Sequence, residues 1–100
     1  MPHYAYVNGR YLPHTQASVH IEDRGFQFAD AVYEVIPVLN CALIDQEAHY
    51  DRLAYSLREL DIPWPMTRQA MRLVTRELLR KNALNNGIVY QQISRGQAGR

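Results

Sequence analysis

An arginine beside the apolar face of a helix needs an anion, and Arg52 occupies such a position. His49, Arg52, Leu53, Ser56, Leu57 and Leu60 recur at helical spacing and share one face. A guanidinium drawn toward a core is costly without a counter-charge. Two kinds of anion would serve. One is a carboxylate of the same chain, such as Glu34 or Asp30; the other is a ligand phosphate held by a bidentate fork. Periodicity alone does not separate them. Tyr33 lies in the middle of a strong strand pattern, where a core tyrosine with a satisfied hydroxyl is the common case. Glu34 falls on the opposite face among apolar positions and reads as a structural acid paired with Arg24 or Arg95.

Other reactive types form no constellation. His3, His14, His20 and His49 do not fall at a metal-ligand spacing and no acidic cluster accompanies them. The single cysteine, Cys41, lies in a turn with no base nearby and reads as inert. It excludes an internal disulfide, which makes a reducing cytoplasm the expected compartment. The glycines build no phosphate-cradling loop. The tyrosines build no stacking platform for nucleic acid, and a formal net charge of +1 gives no field to attract one. No apolar run is long enough to cross a membrane, and Met-Pro-His-Tyr has no charged and apolar leader. Of eleven basic residues only Lys81 is lysine.

One hundred residues imply one small domain, which rarely builds a deep cleft from itself. The first half reads as strands. Tyr4 to Val7 and Arg10 to Leu12 flank Asn8-Gly9, a tight-turn signal. Pro13 to Ser18 reads as a loop, Val19 to Ile21 as a short strand, and Glu22 to Asp30 as an irregular turn. Ala31 to Leu39 is the strongest strand pattern, with Tyr33, Val35, Pro37 and Leu39 on one face and Val32, Glu34, Ile36 and Val38 on the other. Pro37 cannot donate to a ladder, so the strand is expected to be an edge or to be interrupted there. Ala42 to Ile44 returns after Asn40-Cys41.

The second half reads as two helices and a strand. Asp45 is the expected cap of Gln46 to Leu60, which Ile62-Pro63-Trp64-Pro65 ends. Thr67 caps a helix running to about Asn82, with Ala70, Met71, Val74, Leu78 and Leu79 as its apolar stripe. Lys81 sits in its last turn and is expected to be solvent-exposed and far from Arg52. Ile88 to Ser94 is the last strand, followed by a glycine-containing loop. This order predicts an α+β domain with a small, mostly antiparallel sheet and two helices.

The run from Glu22 to Val35, Glu-Asp-Arg-Gly-Phe-Gln-Phe-Ala-Asp-Ala-Val-Tyr-Glu-Val, and His49-Tyr50-Asp51-Arg52-Leu53 further on resemble the N-terminal domain of class IV aminotransferases. These are the fold-type-IV pyridoxal phosphate enzymes. The resemblance runs from about Tyr6 to Arg100. Tyr33-Glu34-Val35 is most similar to the D-amino-acid transaminases of that group. The resemblance implies that Arg52 binds the cofactor phosphate, that Tyr33 helps to hold the substrate carboxylate, and that Val35 and Tyr90 line the substrate pocket. It aligns Arg100 with an arginine that binds the substrate carboxylate on a loop reaching the neighbouring subunit, so a homodimer is implied. The histidine that follows that arginine in the family is missing here.

Ala29 and Ala31 replace the glycines usual around Asp30, and Cys41 replaces a turn glycine. The family's chemistry needs a lysine that forms a Schiff base with the cofactor and shuttles its proton. In the family this lysine belongs to a second domain, so no catalytic residue is assigned within residues 1–100. The expectation is one N-terminal domain of a transaminase that moves an amino group between a D-amino acid and a 2-oxo acid, inactive as an isolated fragment. The alternatives are a branched-chain aminotransferase, an aminodeoxychorismate-lyase-like domain, or a non-catalytic dimerisation module.

Overall fold

A computed structural model of the chain describes residues 3–98. The elements run β1 (Tyr4–Val7), β2 (Arg10–Pro13), a 3-10 turn (His14–Gln16), α1 (Arg24–Phe28), β3 (Ala31–Leu39), β4 (Ala42–Leu43), α2 (Gln46–Leu60), α3 (Arg68–Lys81) and β5 (Gly87–Ser94). The fold is α+β, with every strand pair antiparallel: β1 with β2, and a second sheet in the order β4-β3-β5.

The β1–β2 turn is made by Asn8 and Gly9, both at positive φ, which matches the right-handed twist of the strands it joins. Asn40 and Cys41 make the β3–β4 turn in the same way, at φ 50° and 67°, although neither is glycine. Pro37 does not interrupt β3. It pairs with Ile88 in the ladder, and its carbonyl accepts from the Ile44 amide on the β4 side. Both backbone groups of a strand residue point the same way, so the missing N–H falls where β4 has already ended.

Three local expectations change. Val19 to Ile21 forms no strand. Within Glu22 to Asp30 the chain winds into α1, whose N-cap Asp23 accepts from the Gly25 amide and whose C-cap Ala29 adopts a left-handed conformation. A helix of five residues is too short to show a period. Gly25 is required by close approach: a Cβ there would stand 3.0 Å from both the Asp23 carboxylate and the Ser94 Cβ. Asp45 precedes α2 but makes no side-chain cap, because it too is left-handed at φ 55°. Thr67 does cap α3 through the Ala70 amide.

The core lies between α2 and the even-numbered face of β3. Val32, Ile36, Tyr50, Leu53, Leu57, Ile62 and Met71 form one buried cluster. Tyr50, absent from the apolar face expected for α2, is fully buried, whereas Leu60 reaches solvent. α3 buries Met71 and Thr75. Lys81 is not simply solvated. Its ammonium lies 5.6 Å from the Tyr4 ring centroid and 5.4 Å from that of Tyr11, which ties the end of α3 to the hairpin.

Candidate active site

β3 and α2 together decide where Arg52 points. Alternation along β3 sends Glu34 to the face that α2 covers, and Glu34 is only 3% exposed there. His49 and Arg52 stand three residues apart on α2, so their side chains leave the same side of the helix. They converge on Glu34. Arg52 donates from Nε to Glu34 Oε2 at 2.9 Å and from Nη2 to Oε1 at 2.8 Å, a bidentate fork. His49 Nδ1 lies 2.7 Å from the same Oε1. The Arg52 hydrogen bonds hold the Glu34 carboxyl below the usual carboxylate range, against burial, which pushes it up; the His49 contact adds to the lowering. Glu34 in turn raises the pKa of Arg52.

Glu34 is therefore partnered by Arg52 and His49, not by Arg24 or Arg95. Those two arginines both donate to Asp30 Oδ2, at 3.0 and 2.7 Å. The register explains the exchange. Ala31 faces Ser94 across the ladder, which places Arg95 beside Asp30 at the end of the sheet and away from α2. Nor is Arg52 drawn into the core: its side chain remains 66% exposed. Only its Nε–Nη2 edge is engaged. Among the described residues, Nη1 donates to nothing.

The odd-numbered face of β3 is open. Tyr33 is 62% exposed and is not a core tyrosine. Its ring stacks on that of Tyr90 with centroids 5.6 Å apart and planes 15° from parallel. Val35 pairs directly with Tyr90 in the ladder, so Tyr33, Val35 and Tyr90 share this face. Glu34, which holds Arg52, follows Tyr33 directly in β3 and points to the opposite face. Three of the residues singled out in the sequence, Tyr33, Val35 and Tyr90, thus share the open face, and the fourth, Arg52 in the middle of α2, is held through Glu34 on the other face of the same strand. Arg100, the fifth, lies outside the described residues. A groove of about 860 Å³ runs along the outer edge of β5 between α3 and β1, lined by Met71, Val74, Leu78 and Val89 and reaching Tyr90; neither Arg52 nor Tyr33 lines it.

The family model described as amino-transferase class IV matches residues 31–100. The chain belongs to this family. It is 38% identical over 90 residues to the D-alanine aminotransferase of Listeria innocua, which covers 90% of this chain and 31% of that protein. Its fold superposes on a branched-chain amino acid aminotransferase from Escherichia coli with a TM-score of 0.90 at 21% identity, over 99% of this chain and 35% of the other. It also superposes on a branched-chain amino acid aminotransferase solved with pyridoxamine 5'-phosphate, with a TM-score of 0.83 at 17% identity, over 92% and 32%. The chain spans about a third of the length of the curated relatives it matches.

Class IV aminotransferases use pyridoxal 5'-phosphate, and the donor set here fits the phosphate end of that group. Arg52 presents the free edge of a planar fork, the shape that takes two phosphate oxygens. Lys81 lies on α3, held over the rings of Tyr4 and Tyr11. The residues missed by sequence reasoning are His49 as a partner, and Glu34 as the partner in preference to Asp30. The signal available was the spacing of His49 and Arg52 on one helix face, opposite the only acid on the buried face of β3.

Proposed function

We propose that this chain is the part of a pyridoxal-phosphate-dependent D-amino-acid transaminase that holds the cofactor phosphate and lines the substrate side of the site. One observation carries the reading: the guanidinium of Arg52 is fixed on its inner edge by Glu34 and open on its outer edge, beside the exposed Tyr33–Tyr90 face. Arg52 would take the phosphate through that outer edge. The Tyr33 hydroxyl would donate to the substrate carboxylate, Val35 and Tyr90 would bound the side-chain space, and Arg100 would add a cation for the carboxylate from a neighbouring subunit of a homodimer. When bound, the cofactor serves as electron sink and amino carrier, so that one 2-oxo acid gains the amino group that one amino acid gives up. The lysine that chemistry requires would come from the part of the longer relatives that this chain does not match. A reducing cytoplasm suits a protein whose only cysteine is exposed and unpaired among the described residues.

The choice of a D-amino acid rests on the likeness to D-alanine aminotransferases and on Tyr33-Glu34-Val35. The full-length protein carrying this chain, supplied with pyridoxal 5'-phosphate and 2-oxoglutarate, should convert D-alanine to pyruvate and leave L-leucine largely unused. Preference for L-leucine would overturn the D-specific reading. Arg52→Ala should weaken pyridoxal 5'-phosphate binding by about ten- to a hundred-fold, the loss expected for charge-assisted hydrogen bonds. Undiminished cofactor affinity in that variant would overturn the role of Arg52.

A further inference from the structure

We propose that Glu34, backed by His49, is a positioning residue for the cofactor phosphate: it fixes the Arg52 guanidinium so that its Nη1 edge faces outward. This rests on the reading of Arg52 as the phosphate ligand. An arginine whose side chain is 66% exposed would ordinarily sample many rotamers. Here the fork geometry removes that freedom. Nε and Nη2 are both committed to one carboxylate, which leaves a single edge of the plane for an incoming anion.

The carboxylate is itself immobilised. Glu34 lies within β3, whose ladder with β5 runs unbroken from Ala31 to Val38. Oε1 receives Arg52 Nη2, a longer contact from Arg52 Nε at 3.1 Å, and His49 Nδ1 at 2.7 Å. His49 reaches it from the preceding turn of α2, so helix and strand are both referenced to one oxygen. The charge of Glu34 works in the other direction, because a carboxylate behind the arginine opposes an anion in front of it. Two effects of opposite sign therefore compete. Positioning wins if removal of the carboxylate loosens phosphate binding; charge wins if removal tightens it. The arginine's exposure favours the first, since solvent screens the longer-range repulsion far more than it screens the direct fork.

The measurement is the ratio of affinities for pyridoxal 5'-phosphate and for pyridoxal, which lacks the phosphate, in the full-length protein. Glu34→Gln should lower the ratio about ten-fold, the usual scale for losing a residue that orients a ligand-binding group, with pyridoxal affinity within about two-fold of the parent. His49→Ala should lower it by a smaller factor, about three-fold. Ile36→Val, which loosens the same face of β3 without touching Arg52, should leave the ratio unchanged; a purely structural role for Glu34 would make the two variants alike. An unchanged or increased ratio in Glu34→Gln overturns the proposal. Should that variant fail to fold, His49→Ala decides, and an unchanged ratio there overturns it equally. Arg52→Ala separates the two layers. If it lowers the ratio while Glu34→Gln does not, only the positioning role fails. If Arg52→Ala leaves the ratio intact, the reading of Arg52 as phosphate ligand fails and the positioning role with it.

Discussion

Asp30 and Glu34 lie four residues apart, just before β3 and in its middle, and each gathers two basic side chains. At Asp30 one of the two, Arg95, is fully engaged. Arg95 donates from Nε to the carboxylate and from its other nitrogens to the carbonyls of Leu60 and Asp61, at the C-terminal end of α2. Arg24, the second partner, also lies over the Phe28 ring. The cluster ties α1, β3, the loop after β5 and the end of α2 together, and the carbonyls it engages are those a helix end leaves without partners. At Glu34 the arrangement is open, because the outer edge of Arg52 is unused among the described residues. The same residue types thus make a structural knot in one place and a candidate anion grip in the other. What separates them is that Arg95 commits every nitrogen to Asp30 and the end of α2, whereas Arg52 commits only its Nε–Nη2 edge.

The largest effect should come from reversing the acid in each cluster. Glu34→Lys places an ammonium at a nearly buried site facing Arg52 and His49, and should cost about 4 kcal/mol or more, most of the stability of a marginal domain of this size. Asp30→Lys puts the new charge where neighbouring side chains reach water, and should lower the urea midpoint less. Equal losses would erase the contrast between the clusters.

Acid titration should separate them more finely. The Glu34 carboxyl is held low by Arg52 first, and that of Asp30 by Arg95 first and Arg24 second. A depressed carboxyl contributes stability that is complete above its unfolded value, about 4.3 for glutamate and 3.9 for aspartate, and is lost as pH falls through the lower folded value. The urea midpoint should be flat from neutrality to about pH 5 and should fall below it. Glu34→Gln and Asp30→Asn should each remove part of the fall, with Glu47 and Glu77, also held low by Arg72 and Arg80, retaining the rest. A midpoint that rose on acidification would contradict both clusters.

Much of this arrangement was legible in the sequence. Period-2 alternation assigned Glu34 and Tyr33 to opposite faces of β3, and helical spacing put His49 beside Arg52. The α+β order and the Asn8-Gly9 turn followed from local signals. What local signals could not supply was the β3–β5 register and the docking of α2 on β3. Those decide that Arg95 meets Asp30 and that Arg52 meets Glu34. They also decide that the odd face of β3, as apolar in pattern as the even one, stays open. The alternation shows that two faces exist and not which one α2 will cover. α1 escaped because five residues carry no period, and Asp45 misled because a good capping residue in a left-handed conformation cannot aim its carboxylate at the helix.

The smallest effect should come from Ala29, the left-handed C-cap of α1, one residue before Asp30 and at φ 55°. That conformation costs a residue with a Cβ about 1–2 kcal/mol, which Ala29→Gly would relieve. The glycine also loosens the unfolded chain by about 0.4–1 kcal/mol, so the net gain should be about 0.5 kcal/mol in unfolding free energy. The gain acts on the Asp30 cluster alone, because Ala29 touches neither Glu34 nor α2 through any backbone hydrogen bond; its amide bonds to Gly25 and its carbonyl to Ala31. The ratio of pyridoxal 5'-phosphate to pyridoxal affinity should therefore stay constant while the urea midpoint rises. If that ratio moved with stability, the two clusters would be one mechanical unit, and the open grip at Arg52 would depend on the knot at Asp30.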